Sequence, residues 1–247
     1  TAHAIWCARQ SLVGKVTVAF ADTLFDAGFS MNTEEDGIIW THKVGDPSAF
    51  GVVRKNSDGT IAGFVEKPKE YVSNEAIIGI YYFKSGENLL GELQYLIDNN
   101  VTKGGEYQLT DALQNMLDKG LKFKTNDVRE WLDCGNPLAT IQTNQRVLAL
   151  KADKEQLVSD NVICNNSTII PPVCIAEGVE LNNSVVGPYV SISRETKVSN
   201  SVISNSIVGK QTTIANSVLS QSMIGNNVKL VSKPQHLSLG DYSETEL

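Results

Sequence analysis

Asp22 and Gly79 are the first residues of this sequence whose type and position suggest chemistry. Asp22 ends the apolar run 15–22, which we predict to be a buried parallel strand. Because the carboxyl ends of strands face the ligand crevice in open α/β sheets, an Asp there is well placed for chemistry. The alternative role for Asp22 is a cap for the following turn. Gly79 interrupts the apolar run 76–83, and such a glycine often marks the close approach of a ligand or of backbone.

The segments around these residues predict an α/β domain. Short apolar runs predict strands, and two of them form a hairpin around the turn Ser57-Asp58-Gly59. Apolar residues at helical spacing predict amphipathic helices. The predicted strands cover 15–22, 37–44, 50–64 (the hairpin), 76–83 and 121–128, and the predicted helices cover 2–12, 87–98, 107–119 and 137–151.

A different periodicity begins near Leu150. Aliphatic residues then recur every five or six positions, at Ile175, Leu181, Val186, Ile192, Val198, Ile203, Val208, Ile214, Leu219, Ile224 and Leu230. This repeat predicts a parallel β-helix, in which each coil buries its apolar faces against its neighbours. A β-sandwich is the alternative, but its turn signals recur at roughly 8–12 residues. We therefore predict an α/β domain at 1–150 and a β-helix with a polar tail at 151–247.

The composition, with 41% apolar and 20% charged residues, is that of a globular protein. A formal net charge of −7 argues against nucleic acid and anionic membranes as partners. We find no apolar run long enough to span a bilayer and no signal-peptide pattern. The cysteines form no C-x-x-C pair and the histidines are far apart, which argues against disulfides and zinc. We therefore expect a cytoplasmic protein.

Seven different short motifs follow one another along the chain. They are Thr1-Ala2-His3-Ala4, Ala21-Asp22-Thr23-Leu24-Phe25, Phe50-Gly51-Val52-Val53, Glu66-Lys67-Pro68, Ile78-Gly79-Ile80-Tyr81, Gly105-Glu106-Tyr107-Gln108-Leu109-Thr110-Asp111 and Trp131-Leu132-Asp133-Cys134-Gly135. In this order the chain resembles the sugar-1-phosphate nucleotidyltransferases, the family that includes glucose-1-phosphate thymidylyltransferase and related uridylyltransferases. The resemblance implies a Rossmann-like (GT-A-like) α/β sheet, followed by a left-handed parallel β-helix of hexapeptide repeats.

The resemblance also implies a reaction. An oxygen of a hexose 1-phosphate attacks the α-phosphorus of a nucleoside triphosphate, and pyrophosphate leaves. Mg²⁺ would be held by Asp22 and Asp133, which agrees with its preference for one or two carboxylates plus phosphate oxygens. Lys67 would neutralise the sugar phosphate as a point charge. Glu66 would accept hydrogen bonds from sugar hydroxyls, and Gly51 would offer backbone contact in the same pocket.

Other positions follow from the same resemblance. Gly79 and Thr110 are implied as further positions of the substrate pocket, and His3 as a neighbour of the nucleotide base. We interpret Trp131 as a core aromatic residue. Relatives specific for N-acetylglucosamine place an Asn where this chain has Ile77, which favours a plain hexose phosphate.

The chain departs from the family pattern at its beginning. The Gly-rich loop that grips the triphosphate is absent, although a triphosphate needs convergent N–H groups and cations. Ala21 also replaces the usual Gly of its motif. We therefore expect the chain to be a fragment that is inactive alone. Since base specificity lies largely in that loop, UTP, dTTP and GTP stay open.

Two other functions compete with this prediction. A hexapeptide-repeat acyltransferase would need a His base in the β-helix, but none occurs between Ser159 and Leu230. A non-catalytic regulatory or scaffold subunit would have little use for two metal-binding carboxylates, and both Asp22 and Asp133 are present. We expect the β-helix to mediate homo-oligomer formation, because symmetric self-association is the common outcome.

Overall fold

The computed structural model describes residues 1–26 and 31–233. Its internal contacts divide the chain into two compact units, Thr1–Asp133 and Cys134–Leu247. Each unit contains its own clusters of buried apolar residues. The predicted boundary lies near Leu150, so the helix that ends at Lys151 is the main segment that the two divisions assign differently.

A six-stranded sheet forms the centre of the first unit. The strands of this unit are β1 (Val16–Ala19), β2 (Thr23–Asp26), β3 (Gly37–Lys43), β4 (Gly51–Lys55), β5 (Ile61–Glu66), β6 (Glu75–Phe83), β7 (Phe123–Asp127) and β8 (Glu130–Asp133). The sheet has the order β5-β4-β6-β3-β7, and β1 also pairs with β6. β2 and β8 form a separate antiparallel ribbon. The predicted α/β class is confirmed.

One edge of β6 is divided between two strands. β3 pairs with the other edge along most of its length. β1 pairs with the C-terminal part, where Ala19 lies opposite Ile80, and β4 pairs with β6 at Ala76. β1 and β4 therefore part near Gly79.

The prediction for β1 is wrong in direction and in burial. β1 is antiparallel to β6, and its residues alternate between partly buried and exposed. An apolar run indicates a tendency to be buried, but it does not identify the neighbouring strand or its direction.

The helices of the first unit contribute about half of its larger buried cluster. They are α1 (Ala2–Cys7), α2 (Gly86–Asp98) and α3 (Leu109–Asp118), and a short 3₁₀ helix, Arg9–Ser11, follows α1. Leu89, Leu93 and Leu113 are fully buried, so the predicted apolar stripes of α2 and α3 face the core. Ser85 caps α2, because its Oγ accepts from the backbone N–H of Asn88 at 3.1 Å. No helix among the described residues is long and apolar enough to cross a membrane.

The second unit begins with α4 (Pro137–Lys151) and continues as a parallel β-helix. Its strands are β9 (Ile163–Asn165), β10 (Thr168–Ile169), β11 (Val173–Ile175), β12 (Glu180–Asn182), β13 (Val185–Val186), β14 (Val190–Ile192), β15 (Lys197–Ser199), β16 (Val202–Ser204), β17 (Ile207–Val208), β18 (Thr213–Ala215), β19 (Val218–Ser220), β20 (Met223–Ile224) and β21 (Lys229–Val231). They stack in parallel sheets of five, four and four strands. The predicted β-helix is confirmed.

One corner of the β-helix is built from the recurring Asn-Ser pairs. Asn183, Asn200 and Asn216 have φ angles of 48°, 46° and 53°, in the left-handed region that Asn tolerates. Asn183 donates to Asn200 at 3.3 Å, and Asn200 donates to Asn216 at 3.1 Å, across separations of 17 and 16 residues. The same corner therefore recurs on each coil, and the aliphatic residues between corners face inward.

Candidate active site

The β2–β8 ribbon brings the two predicted metal-binding carboxylates to one end. Thr23 lies opposite Asp133 in the antiparallel register, and Asp22 directly precedes Thr23. Asp22 and Asp133 therefore lie at the same end of the ribbon, with Asp22 one residue beyond the Thr23–Asp133 pair, although they are far apart in sequence.

Three of the predicted substrate-binding residues meet in a second cluster. Gly51 of β4 lies opposite Glu66 of β5. The Thr110 hydroxyl donates to Glu66 Oε2 at 3.1 Å. A Cβ atom added to Gly51 would lie 3.0 Å from Glu66 Oε2, 3.2 Å from Thr110 Cγ2 and 3.4 Å from Ile77 Cδ1. Since any side chain at Gly51 would crowd these groups, the glycine keeps the space beside the Glu66 carboxylate open.

Tyr81 extends this cluster, and the sequence analysis did not assign it a role. Burial raises the pKa of the Tyr81 phenol strongly, and the Glu66 carboxylate raises it further. Tyr81 is therefore neutral over the physiological range, and it lies close enough to Glu66 to sense its charge. Its place in the Ile78-Gly79-Ile80-Tyr81 motif was the only sequence signal for this position.

Lys67 follows β5 directly, with an exposed side chain. Its backbone N–H donates to the carbonyl oxygen of Phe50 at 3.1 Å, which ties it to the residue before Gly51. Its φ of 43° is uncommon for a residue that is not glycine. Within residues 1–26 and 31–233, no carboxylate forms an ion pair with Lys67. Its charge is therefore available beside the Glu66 cluster.

Gly79 does mark a close approach, and the neighbour is backbone of the same chain. Its carbonyl oxygen accepts from the Phe20 N–H at 2.9 Å. Its φ is 84°, and an added Cβ would lie 3.1 Å from Phe20 Cδ2. Gly79 therefore anchors the segment that leads from β1 to Asp22.

His3 lies outside the contacts of the Glu66 cluster. It is exposed on α1, its ring stacks on Trp6 at 5.9 Å, and it lies 6.3 Å from the Tyr107 ring. The chain start is tied to the start of α3, because Ala2 N–H donates to Tyr107 O at 2.9 Å. α3 carries Thr110, so His3 and the pocket share this helix as a support.

Trp131 is partly buried, and it packs against a cluster that contains Trp40 and Ile78. Its indole N–H donates to Thr23 Oγ1 at 2.7 Å, which the sequence analysis did not foresee.

Among the described residues no group of three or more His, Cys, Asp or Glu side chains could hold a metal ion. A metal here would therefore need oxygen ligands beyond Asp22 and Asp133, and Mg²⁺ commonly takes them from phosphates and water.

Comparison with known proteins identifies the family of this chain. A sequence model of the family described as "Nucleotidyl transferase" matches residues 1–149. The chain is 31% identical over 180 residues to the "Bifunctional protein GlmU" of Methanococcus maripaludis strain C7, covering 72% of this chain and 42% of that protein. It is 30% identical over 142 residues to the "Glucose-1-phosphate thymidylyltransferase" of Streptomyces antibioticus, covering 57% of this chain and 37% of that protein.

A GlmU protein from Methanococcus aeolicus is 29% identical over 177 residues, which cover 69% of this chain and 41% of the relative. The chain thus spans about two fifths of the length of these curated relatives. The family match extends over more than half of this chain and includes every residue of the Glu66 cluster and both ribbon carboxylates. The chain belongs to the nucleotidyl transferase family.

Proposed function

We propose that this chain carries the sugar-binding and metal-binding part of a nucleotidyltransferase that joins a nucleoside triphosphate to a hexose 1-phosphate. The observation that carries the proposal is the convergence of Glu66 and Thr110 around the open Gly51 position. Lys67, the next residue after Glu66, forms no ion pair within residues 1–26 and 31–233. A carboxylate beside a cation suits a ligand that has both hydroxyl and phosphate groups.

The residues divide the chemistry between them. Glu66 accepts hydrogen bonds from sugar hydroxyls. The Thr110 hydroxyl fixes the orientation of the Glu66 carboxylate by donating to Oε2, which can still accept a second hydrogen bond. Lys67 offsets the negative charge of the sugar phosphate, so that its oxygen can approach a second polyanion. Holding both substrates in place supplies much of the rate enhancement in phosphoryl-type transfers, where the protein contributes positioning and electrostatics.

Asp22 and Asp133 are the proposed ligands of Mg²⁺, which takes one or two carboxylates together with phosphate and water oxygens. They would hold it at one end of the β2–β8 ribbon. When bound, it would neutralise charge on the triphosphate oxygens. His3 is a candidate for contact with the nucleotide, since it presents an exposed imidazole stacked on Trp6.

A plain hexose is the proposed sugar, because Ile77 contributes an apolar side chain to the pocket. Ile77 Cδ1 lies 3.4 Å from the Cβ position of Gly51, in the same cluster as Glu66. An N-acetyl group carries amide donor and acceptor atoms, and burying them against an aliphatic side chain leaves them unpaired. Glucose 1-phosphate is therefore a better candidate substrate than its N-acetylated analogue.

The β-helix is proposed to join copies of the chain. Val202 and Val218, on adjacent strands of one outer face, are 44% and 82% exposed. Exposed aliphatic residues in a row favour association with another surface, and a second copy is the most common partner. Sedimentation analysis of Val218→Asp against the unaltered protein tests this assignment, because the added charge should shift an oligomer toward monomer.

The catalytic proposal is tested by pyrophosphate release in the full-length protein. Glucose 1-phosphate is offered with UTP, dTTP or GTP in the presence of Mg²⁺. Lys67→Ala and Asp133→Asn should each lower turnover on the order of 10²–10³-fold, as loss of a charge-stabilising group typically does. Lys69→Ala removes a nearby exposed lysine and should change turnover less than threefold. Absence of pyrophosphate release from the folded wild-type protein with every nucleotide would contradict the proposal.

A further inference from the structure

We infer that Trp131 is a positioning residue that fixes the segment Glu66-Lys67-Pro68, called here the Lys67 turn, relative to the ribbon end at which Asp22 and Asp133 lie. The inference rests on the proposed function, because it assigns those two elements to one reaction. It explains how Lys67 and the two carboxylates are held in a fixed position relative to each other, which the proposed function does not explain. The two elements belong to separate sheets, and Trp131 contacts Thr23 of the ribbon and Phe50, whose carbonyl accepts from Lys67.

The first contact is with the ribbon. The Trp131 indole N–H donates to Thr23 Oγ1 at 2.7 Å, diagonally across from β8 to β2. Thr23 is the residue that lies opposite Asp133 and follows Asp22. The hydrogen bond therefore ties the two strands together at the end where both carboxylates lie, in addition to the backbone pairing.

The second contact is with Phe50, which supports the Lys67 turn. The rings of Trp131 and Phe50 meet edge to face, with centroids 5.0 Å apart and planes at 73°. The carbonyl oxygen of the same Phe50 accepts from the Lys67 N–H at 3.1 Å. A shift of Phe50 would therefore move the acceptor that holds the Lys67 backbone.

Lys67 depends on such support because of its backbone conformation. A φ of 43° is unfavourable for a residue with a Cβ atom, and it persists only where the surroundings hold it. The Lys67 side chain is exposed and has no ion pair among the described residues that would fix it. The Phe50 carbonyl accepts from the Lys67 backbone, and Trp131 packs against the ring of the same Phe50.

Trp131 itself is anchored to the central sheet, so it can transmit a fixed position. It packs against the buried cluster of Trp40 and Ile78, and its ring meets the His42 ring edge to face at 6.4 Å. A residue with a purely structural role would need only this packing. Trp131 also bonds to Thr23, beside the two carboxylates, and contacts Phe50, which holds the backbone of Lys67.

Amide hydrogen exchange at Lys67 tests the positioning role without any substrate. Trp131→Ala should speed exchange of the Lys67 amide roughly tenfold by loosening the Phe50 carbonyl, with Trp131→Phe giving a smaller increase because it keeps a ring. Trp6→Phe is the matched control, since it loses an indole N–H bond of the same 2.7 Å length, to Gln94, elsewhere in the unit. Unchanged Lys67 exchange in folded Trp131→Ala would overturn the inference.

Steady-state kinetics of the full-length protein provide the second readout. Trp131→Phe should lower kcat about threefold to tenfold, the usual value of one neutral hydrogen bond. Thr23→Val should lower kcat by a similar factor, and the double variant should be no worse than the poorer single variant. KM for glucose 1-phosphate should change less than kcat, because positioning acts on the transition state. Additive losses, or kcat within twofold of wild type in Trp131→Phe, would contradict the role.

The two readouts separate the inference from the proposed function. A wild-type protein that releases no pyrophosphate with any nucleotide contradicts the proposed function, and the exchange experiment then still decides whether Trp131 positions Lys67. Normal turnover with unchanged Lys67 exchange in both Trp131 variants contradicts the inference and leaves the proposed function standing.

Discussion

The two units of this chain hold their polar residues in place over very different sequence distances. In the α/β unit, the Thr110–Glu66 and Trp131–Thr23 hydrogen bonds join residues 44 and 108 positions apart, and each occurs once. In the β-helix, the Asn200–Asn216 bond spans 16 residues, and an equivalent bond recurs on the neighbouring coil. The first unit builds one site from single long-range contacts, whereas the second distributes its stability over repeated local ones.

The difference separates function from stability. A substitution in the Glu66 cluster removes a contact that no other residue replaces, so the chemistry should suffer more than the fold. A substitution in the β-helix interior damages one rung and its neighbours, so local stability should suffer while the site is unaffected. Two substitutions in the β-helix and one in the α/β unit test this separation.

The largest effect is expected for Ile203→Ala in the β-helix. Ile203 is fully buried between Val186 and Leu219 on adjacent strands, and truncation of a buried Ile to Ala costs about 2–5 kcal/mol. All three tryptophans lie in the α/β unit, so tryptophan fluorescence during urea unfolding reports that unit alone. We expect the fluorescence transition to stay in place while amides of the β-helix lose protection from hydrogen exchange.

The exposed Ile163→Ala, in another sheet of the β-helix, is the control for Ile203→Ala, and it should change the free energy of unfolding by less than about 0.5 kcal/mol. A fluorescence transition that moves together with the β-helix amides would show that the two units unfold as one, which would break the comparison.

An intermediate effect is expected for Asn200→Ala at the corner of the β-helix. Its φ of 46° costs about 1–2 kcal/mol for a residue with a Cβ atom that lacks the local bonding of Asn. Loss of the bonds to Asn183 and Asn216 adds to that cost. Asn200→Gly loses the same bonds and keeps the backbone freedom, so urea unfolding should find it about 1 kcal/mol more stable than Asn200→Ala. Equal stability of the two variants would show that the left-handed backbone carries no cost here.

A smaller effect, confined to alkaline pH, is expected for Tyr81 in the α/β unit. Its folded-state pKa is raised by burial and by Glu66, whereas the phenol of an unfolded chain titrates near 10. This stabilising contribution is complete below about pH 10, and it falls by about 1.4 kcal/mol per pH unit as the pH rises above that value. Tyr81→Phe should remove this alkaline loss in urea unfolding series between pH 9 and 11, and an identical slope in both proteins would contradict the assignment.

The sequence was most informative where the structure is local. The aliphatic repeat and the Asn-Ser pairs predicted the β-helix, because each coil repeats the same short pattern and packs on a coil that is close to it in sequence. The Glu66-Lys67-Pro68 and Thr110 motifs predicted residues that do converge, although only the resemblance to a family connected them. Neither the periodicity nor the composition of a sequence predicts how far apart two such motifs lie in the folded protein.

The errors and omissions lie in long-range contacts. The apolar run of β1 did not reveal its antiparallel partner β6, more than 50 residues later. Gly79 signalled a close approach, but not that Phe20 makes it. Trp131 was interpreted as a core residue because aromatic residues are most often buried, and the acceptor of its indole N–H lies 108 residues away. Such contacts are properties of the folded sheet, so no local pattern encodes them.

Binding of glucose 1-phosphate to Gly51→Ala, followed by calorimetry, tests the central claim most directly. The added Cβ would lie 3.0 Å from Glu66 Oε2 and 3.2 Å from Thr110 Cγ2, in the space proposed for the sugar. Gly63→Ala in the same hairpin is the control, because its Cβ meets only the flexible end of Arg54. We predict that Gly51→Ala weakens binding at least about tenfold, with a free energy of unfolding within about 1 kcal/mol of wild type. Equal affinity in Gly51→Ala and wild type would contradict the assignment of this cluster as the sugar pocket.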